Sequence, residues 1–382
     1  MQTDKKKLLI LIDWFFPGYK AGGPIRSCVN LVIALKDTYE VFVLTTDTDH
    51  GEIKPYEGIA SNCWINDFHP AIHIYYARKK TLSLKQLENE ISTVQADYVY
   101  LNHLFSPYFV IYPLWLKYVV KIKSKLIVCP RGALYDSALS VKSYKKKPFL
   151  FLFRLMGIHK KVLFHATNER EKKAIQHYFP GSEIIIADNL PNLNQPAFAS
   201  CIKLTGEAKC IFISRVVPIK NILFLLEALE KVKASVELTI IGPVEDESYW
   251  DQCKKKIKQL PANIKVEYCG TKKNEELFII LQQHHLFVLP TTGENFGHAI
   301  FEAFLAGRPV LISDQTPWLK LADRKAGWDV PLDQPEYYTS IIEKIASWDQ
   351  QQYDEYAMAA WQYAKHFISN PALIEQYNNL FS

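Results

Sequence analysis

The sequence predicts an α/β protein made of two Rossmann-like, doubly wound lobes. Short continuous apolar runs such as residues 8–12 are each followed by a turn and an amphipathic helix, as expected of buried parallel strands. This alternation stops at a polar, proline-broken segment, residues 187–196, and restarts at residue 209. The 382 residues are enough for two domains. We therefore expect lobes at 1–190 and 200–365, with a cleft between them.

The first lobe has polar or glycine residues after several predicted strands. Gly22 and Gly23 precede a helix that begins near Pro24, although a simple tight turn explains them equally well. His103 and Arg131 each follow a strand, at the edge where α/β sheets bind ligands. A histidine satisfied by local hydrogen bonds and an arginine in a surface salt bridge are the alternatives. The predicted strands are 8–12, 41–44, 97–101, 126–129 and 162–167.

The second lobe repeats the pattern with cations in its first loop. Arg215 and Lys220 stand five residues apart between a strand and a helix. Gly270 and Thr271 follow a later strand in the same way. Taken alone, the two cations would be solvated surface residues. The predicted strands are 209–214, 238–241, 266–269, 286–289 and 309–312.

Residues 291–313 carry the most informative stretch, TTGENFGHAIFEAFLAGRPVLIS. Glu294 lies in the loop after a strand, and Glu302 lies in the helix that follows, which the apolar spacing starts near residue 296 and Gly307 ends. Ionised glutamates accept hydrogen bonds, so each can hold a vicinal diol. Backbone N–H groups at the helix start can hold further oxygens. The alternative is that Glu302 faces solvent and Glu294 only caps the helix.

The pair Glu294 and Glu302 resembles the Glu-x7-Glu signature of retaining nucleotide-sugar glycosyltransferases of the GT-B fold, in their large fourth sequence family. Arg215 and Lys220 match the arginine and lysine that bind the donor diphosphate in that family. The resemblance extends over nearly the whole chain. It implies the GT-B fold, with a C-terminal helix (about 366–382) that crosses back to the first lobe. It also assigns acceptor binding to the first lobe and donor binding to the second.

The resemblance further implies a role for each matching residue of the second lobe. Arg215 and Lys220 neutralise the diphosphate of the leaving nucleotide. Glu302 holds the ribose diol. The hydroxyls of the donor sugar are oriented by Glu294 and by the backbone of Asn295, Phe296 and Gly297, and the base lies near Gly270 and Thr271.

In the first lobe, the resemblance places His103 beside the anomeric carbon, so His103, Glu294, Arg215 and Lys220 form the expected catalytic set. Gly22 and Gly23 let the backbone approach the donor phosphate and the acceptor. A Pro-Arg-Gly turn like that at Arg131 occurs in the subset that builds bacterial surface polysaccharides. Arg131 is thus a candidate for binding phosphate or an anionic acceptor. The family usually has an Asn-Gly pair at the position where this chain has Asn189 followed by Leu190. This difference puts only the local turn of the linker in doubt.

Composition excludes several other classes of protein. The formal net charge is +5, and no nucleic-acid-binding motif accompanies it. The seven cysteines are scattered without a C-x-x-C pair, which indicates reduced thiols rather than a disulfide framework or a zinc site. We expect neither a cofactor nor a metal. The DTD sequence at 47–49 matches the letters of a metal-binding D-x-D motif, but a motif match alone does not position metal ligands. Neither a signal peptide nor a membrane span is predicted, so we expect a cytoplasmic protein.

Residues 140–161 form the most basic stretch and interleave lysines with phenylalanines and leucines. One interpretation is peripheral contact with the anionic inner face of the cytoplasmic membrane. The other is a core helix with a solvated basic face.

The resemblance implies a retaining, metal-independent glycosyltransferase that moves a sugar from a nucleotide-sugar donor, UDP-linked by default, to a hydroxyl of a glycan or lipid-linked glycan in bacterial surface polysaccharide or lipopolysaccharide synthesis. A GT-B nucleotide-sugar epimerase and a non-catalytic nucleotide-sugar-binding homologue are the alternatives. A two-lobed solute-binding protein would share the architecture, but it should carry an export signal.

Overall fold

The computed structural model describes residues 5–119, 123–140 and 143–382. It divides into two compact units, each with one sheet and its own apolar core. The first unit comprises Met1–Leu193 together with Pro371–Ser382, and the second comprises Asn194–Asn370. The chain therefore leaves the first unit once and returns to it at its C-terminal end.

The first unit contains an eight-stranded sheet in the order β3-β4-β2-β1-β5-β6-β7-β8, in which every neighbouring pair is parallel except β3 and β4. Its strands are β1 (Lys7–Leu11), β2 (Glu40–Thr46), β3 (Trp64–His69), β4 (Ile72–Ala77), β5 (Tyr98–Asn102), β6 (Lys125–Cys129), β7 (Leu163–Ala166) and β8 (Glu183–Ile186). Its helices are α1 (Gly23–Leu35), α2 (Leu84–Val94), α3 (Tyr112–Val119), α4 (Asp136–Ser140), α5 (Ser143–Leu155), α6 (Glu169–Tyr178) and α13 (Ala372–Leu380), with a π-helical turn at Pro107–Ile111 and a 3-10 turn at Ile158–Lys160.

The second unit contains a six-stranded, fully parallel sheet in the order β11-β10-β9-β12-β13-β14. Its strands are β9 (Glu207–Ile213), β10 (Ser235–Ile241), β11 (Ile264–Tyr268), β12 (Leu286–Leu289), β13 (Val310–Ser313) and β14 (Gly327–Val330). Its helices are α7 (Ile222–Leu229), α8 (Glu247–Ile257), α9 (Asn274–Leu281), α10 (His298–Leu305), α11 (Pro335–Ser347) and α12 (Gln350–Ile368), with 3-10 turns at Pro218–Lys220 and Ala322–Arg324.

Continuous apolar runs become central strands because both faces of each sheet are covered. The side chains of β12 and β13 are all buried, as are the last four residues of β1. Helix α7 packs Ile222, Leu225, Leu226 and Leu229 into the core, all fully buried, as its i, i+3, i+4 spacing predicts. Burial on both faces explains why these runs lack the polar alternation of exposed strands.

The predicted two-lobed α/β architecture is confirmed, and so is the return of the C-terminal helix to the first unit. In α13, Tyr377 donates its hydroxyl to the carbonyl of Asp188 over 2.9 Å. Phe381 packs its ring 5.5 Å from that of Tyr39. The sequence patterns missed β3, β4 and β8, which are edge or next-to-edge strands of the first sheet.

Candidate functional site

The second sheet places its candidate residues where its strand order reverses. Along the chain the six strands run outward from β9 to β11 and then resume beside β9 with β12, which is the 3-2-1-4-5-6 order of dinucleotide-binding sheets. In such sheets the ligand crevice opens at the carboxyl ends of the two strands that flank the reversal, here β9 and β12. The loop after β9 carries Arg215 and Lys220, and the loop after β12 carries Glu294.

Lys220 and Glu294 meet directly across these two loops. The lysine Nζ lies 2.5 Å from the glutamate Oε2. The Lys220 side chain is 8% exposed and that of Glu294 is 21% exposed, so water screens this pair much less than a surface ion pair. The ion pair therefore fixes the Lys220 ammonium group at the carboxyl edge of this sheet.

Hydrogen bonds between the loops hold the two charged residues in place. Thr291 Oγ1 and the Thr292 N–H both donate to the carbonyl of Ile219, over 3.0 and 2.8 Å. The N–H of Glu294 donates to the carbonyl of Gln315 over 3.1 Å. The loop after β12 is therefore tied on one side to the residue preceding Lys220 and on the other to the loop after β13.

Gly297 sets the start of α10, two residues later than the apolar spacing predicted. Its φ of 80° lies in the left-handed region, and a Cβ there would sit 2.7 Å from Ile300 Cδ1. Phe296 is buried beneath this turn, and its carbonyl accepts a hydrogen bond from the Trp318 indole N–H over 2.5 Å. Glycine, a buried ring and an indole donor thus fix the backbone between Glu294 and the helix.

Glu302 is the fifth residue of α10 and is half-buried between the buried side chains of Phe301 and Ala303. Asn295, also half-buried, lies beside Glu294 in the loop. The binding roles expected of Glu302 and Asn295 remain predictions.

Arg215 is more exposed than Lys220 and has a different carboxylate partner. Its NH1 lies 2.8 Å from Oε2 of Glu245, in the loop after β10, and its side chain is 43% exposed. Gly270, with a φ of 65°, accepts a hydrogen bond from the Gly242 N–H over 2.9 Å, and Thr271 beside it is exposed. Arg215, Gly270 and Thr271 therefore all lie in loops at the carboxyl edge of this sheet.

His103 follows β5 in the first unit and has an unusual backbone conformation. Its φ is 90°, its N–H donates to the carbonyl of Cys129 over 2.9 Å, and its Nδ1 accepts from the Phe105 N–H over 3.2 Å. Because Nδ1 accepts, the neutral ring carries its proton on Nε2. Burial, reinforced by the charge of Lys146, lowers the pKa of His103 to about 4. His103 is thus a neutral hydrogen-bond donor at pH 7.

Arg131 has partners inside the first unit rather than a surface salt bridge. Its Nε donates to Asn102 Oδ1 over 2.9 Å, NH2 donates to the Tyr100 hydroxyl over 3.1 Å, and NH1 donates to Asn189 Oδ1. The surface-salt-bridge alternative is therefore wrong, and the guanidinium ties the ends of β5 and β6 to the segment after β8. Its role toward phosphate remains a prediction.

Gly22 and Gly23 lie where α1 begins. Gly22 is the residue before the helix with a φ of 67°, and a Cβ there would meet nothing within 4 Å. Open space beside a positive φ is compatible both with a simple turn and with the approach of a ligand to the backbone.

The DTD segment has a structural function. Asp49 accepts hydrogen bonds from the N–H groups of Tyr19, Lys20 and His50, and Asp47 accepts from Lys79 N–H and from the Ser61 hydroxyl. Both carboxylates thus organise the loops after β1, β2 and β4.

Sequence reasoning missed Thr291, Trp318 and Glu245, which hold the site of the second unit. Thr291 directly follows β12 and its neighbour Pro290 without any distinctive spacing. Trp318 lies 22 residues from its carbonyl partner, and Glu245 lies 30 residues from Arg215, so periodicity offers no signal for either contact.

Comparison with known proteins shows the fold and a family similarity of the second unit. Residues 198–365, nearly the whole second unit, match the family model described as glycosyl transferases group 1. The chain has the GT-B fold of glycosyltransferase structures. No curated protein matches the full sequence.

Three solved structures illustrate the likeness of fold. Alr3699/HepE of Anabaena, in complex with UDP and glucose, has a TM-score of 0.73 at 15% identity, over 98% of this chain and 99% of its own. Sucrose-phosphate synthase of Thermosynechococcus elongatus has a TM-score of 0.69 at 14% identity, over 99% and 98%. WaaG, a glycosyltransferase involved in lipopolysaccharide biosynthesis, has a TM-score of 0.65 at 14% identity, over 98% and 99%.

Proposed function

We propose that the protein is a retaining glycosyltransferase that moves a sugar from a UDP-linked donor to a hydroxyl of a glycan or lipid-linked glycan, in bacterial surface polysaccharide or lipopolysaccharide synthesis. The Lys220–Glu294 pair at the strand-order reversal of a group 1 glycosyltransferase domain carries this proposal. The UDP complex of Alr3699/HepE supports the choice of nucleotide, and the lipopolysaccharide role of WaaG supports the choice of acceptor.

Charge explains what the second unit contributes to the reaction. Departure of UDP places negative charge on the β-phosphate, and fixed cations in a poorly hydrated crevice stabilise that charge. Lys220 is held by Glu294, and Arg215 stands five residues earlier in the same loop. Glu294 accepts hydrogen bonds from the sugar hydroxyls, Glu302 holds the ribose diol, and the loop at Gly270 and Thr271 lies near the base.

Retention follows if the acceptor hydroxyl attacks from the face that the phosphate leaves. That phosphate then removes the proton of the hydroxyl as the new bond to the anomeric carbon forms. His103, neutral and with its proton on Nε2, donates a hydrogen bond beside the anomeric carbon. The role of Glu294 is to orient the donor and not to attack it.

Thermal unfolding with a panel of nucleotide sugars tests this function. A donor that binds the folded state alone raises the melting temperature, by an amount that grows with its concentration. We expect UDP-linked sugars to do so and the unlinked sugars to have no effect. If none of the nucleotide sugars in the panel shifts the melting temperature, the proposal is wrong.

A product assay with and without acceptor separates transfer from the alternatives. A transferase forms a glycosylated product only when acceptor is present, an epimerase converts the donor without acceptor, and a silent homologue does neither. A membrane glycolipid extract provides the acceptor.

We also propose that the first unit contacts an anionic membrane, as residues 140–161 suggested; Val141 and Lys142 lie outside the described residues. Helix α5 buries Leu150 and Phe153, and the opposite side of the helix is apolar as well. Tyr144, Phe151 and Leu155 are 71%, 66% and 69% exposed, at i, i+7 and i+11. Leu152 and Met156 extend this surface, and Lys145, Lys147 and Arg154 are exposed on the same helix.

This arrangement differs from a core helix with only a solvated basic face. Exposed apolar side chains among lysines suit a bilayer interface with anionic headgroups. Such contact would bring the first unit to a lipid-linked acceptor at the inner face of the cytoplasmic membrane. Within the described residues, no helix is long and apolar enough to cross a membrane.

Vesicle flotation tests the membrane contact independently of catalysis. We expect vesicles of phosphatidylcholine with phosphatidylglycerol to bind the wild-type protein, and pure phosphatidylcholine vesicles to bind it less. The double variant Phe151→Ser, Leu155→Ser should lose binding. Ile202→Ser, at a residue of the second unit that is 79% exposed, is the matched control and should bind normally. If the double variant and the wild type bind the anionic vesicles equally, the proposed membrane contact is wrong. It is also wrong if the exposed apolar surface of α5 forms a dimer instead.

A further inference from the structure

Asp13 and His103 follow neighbouring strands at the carboxyl edge of the first sheet. Strands β1 and β5 are parallel neighbours, with Leu11 opposite Leu101. Asp13 lies two residues after Leu11, and His103 lies two residues after Leu101. Adjacent strands in a sheet are about 5 Å apart. A hydrogen bond of 2.8 Å from the Ser106 hydroxyl to Asp13 Oδ1 joins the two loops.

The position of this pair matches that of Lys220 and Glu294 in the second unit. The first sheet runs outward from β1 through β2 to β4 and resumes on the other side of β1 with β5. Its strand order therefore reverses between β1 and β5, where α/β sheets form their ligand crevice. Asp13 and His103 flank that reversal.

The carboxylate of Asp13 is only partly satisfied by the protein. Its backbone carbonyl accepts from the Thr46 hydroxyl over 2.6 Å, and Oδ1 accepts from Ser106. Across the described residues, no hydrogen bond from another residue reaches Oδ2, and Asp13 is half-buried. Asp47 and Asp49, in the neighbouring loop, instead use both of their carboxylate oxygens on protein donors.

The groups around Asp13 act on its charge in opposite directions. Burial raises the pKa of Asp13, while the Ser106 hydrogen bond, a hydrogen bond from the backbone of Asp13 itself, and the nearby Lys79 and His50 act to lower it. His103 is neutral at pH 7 because its own pKa is lowered to about 4. A half-buried carboxylate with one oxygen that no other residue uses is a strong acceptor for a hydroxyl hydrogen.

We propose that Asp13 binds the acceptor substrate, with Oδ2 accepting a hydrogen bond from the hydroxyl that attacks the donor sugar. This inference rests on the proposed function and assigns the first unit a binding residue of its own. Asp13 orients the hydroxyl and does not take its proton, which passes to the leaving phosphate. The ligand class is a sugar or other polyol hydroxyl, and water occupies the same position when the donor is hydrolysed.

Hydrolysis of UDP-glucose tests the proposal without a known acceptor. We expect Asp13→Asn to lower the hydrolysis rate about tenfold to a hundredfold, the usual effect of losing a hydrogen bond to a charged group. The affinity for UDP, measured by calorimetry, should stay unchanged because the nucleotide binds the second unit. Asp97→Asn is the matched control: Asp97 lies at the opposite edge of the same sheet and accepts from the Lys7 N–H over 2.8 Å.

The pH profile separates binding from a structural role. Only the ionised carboxylate orients the hydroxyl, so hydrolysis should fall as pH drops through the pKa of Asp13. Ser106→Ala removes a hydrogen bond that lowers this pKa, and it should move that acidic limb to higher pH. Asp13→Asn should abolish the limb, and Asp97→Asn should leave it in place.

The outcomes distinguish this inference from the proposed function. If wild-type protein neither binds UDP nor hydrolyses UDP-glucose, the proposed function fails, and this inference with it. If wild type hydrolyses the donor and Asp13→Asn does so equally fast, with the same acidic limb, only the role of Asp13 is wrong. The melting temperature of each variant shows whether it folds. If Asp13→Asn does not fold, the test is the pH profile of Ser106→Ala: an acidic limb at higher pH supports the role of Asp13, and an unmoved limb contradicts it.

Discussion

Replacing Lys220 by alanine tests the charge argument most sharply. The ammonium group is 2.5 Å from Glu294 and almost fully buried, so bulk water cannot replace it when it is removed. Loss of one preorganised charge that stabilises a developing anion costs about 3 kcal/mol of transition-state stabilisation, which is roughly a hundredfold in turnover. Removal also leaves the Glu294 carboxylate, 21% exposed, without its cation, and this should lower the free energy of unfolding by about 1–3 kcal/mol.

The assay is initial-rate transfer at saturating donor, compared with Lys256→Ala. Lys256 forms a 2.7 Å ion pair with Glu230 in the same unit, with side chains 17% and 42% exposed. The control should retain full turnover and lose at most about 1 kcal/mol of stability, as exposed pairs do. Turnover of Lys220→Ala within threefold of wild type would refute the reasoning. Glu294→Ala should lose activity to a similar extent, because the same step loses its donor orientation.

Three further predictions concern conformation and pH. Gly297→Ala should lower the free energy of unfolding by about 1–2 kcal/mol, because residue 297 has a φ of 80° and the new Cβ would meet Ile300. Urea denaturation measures this loss, and an unchanged free energy of unfolding would contradict the prediction. Trp318→Phe should cost about 1 kcal/mol in the same experiment, because the 2.5 Å bond to the Phe296 carbonyl is lost; no loss means that this bond does not hold the turn. Burial lowers the pKa of His165 to about 3, so between pH 7.5 and pH 5 the unfolded chain takes up a proton on this residue and the folded protein does not. The free energy of unfolding should therefore fall by about 2 kcal/mol over this pH range. His165→Gln should lack this part of the pH dependence, and an equal change of stability with pH in the variant and wild type would contradict the prediction.

The central strands could be predicted because they are buried on both faces. Continuous apolar runs such as β12, fully buried, carry a signal that needs no tertiary information. The exposed and half-buried residues of β3 break this signal, because one side of an edge strand meets solvent. Helix α10 begins at His298 rather than near 296 because Gly297 adopts a left-handed conformation, which apolar spacing cannot reveal.

The candidate residues could be predicted more fully than their partners. Lys220 and Glu294 follow the ends of predicted strands, so the sequence predicts that both lie at the carboxyl edge of the sheet. Their direct contact depends on β9 and β12 being neighbours, which the sequence does not show. Asp13 follows the first strand more closely than Lys220 and Glu294 follow theirs, yet a single aspartate after a strand has no distinctive spacing. Its importance emerged only from the register of β1 against β5 and from the hydrogen bond with Ser106.

The affinity difference between UDP and uridine tests the central claim most directly. Calorimetric titration of wild type and Lys220→Ala with both ligands isolates what the diphosphate adds. The account predicts that wild type binds UDP at least tenfold more tightly than uridine, about 1.4 kcal/mol or more, and that Lys220→Ala loses most of this difference. Equal affinities of wild type for UDP and uridine, or an undiminished difference in the variant, would contradict it.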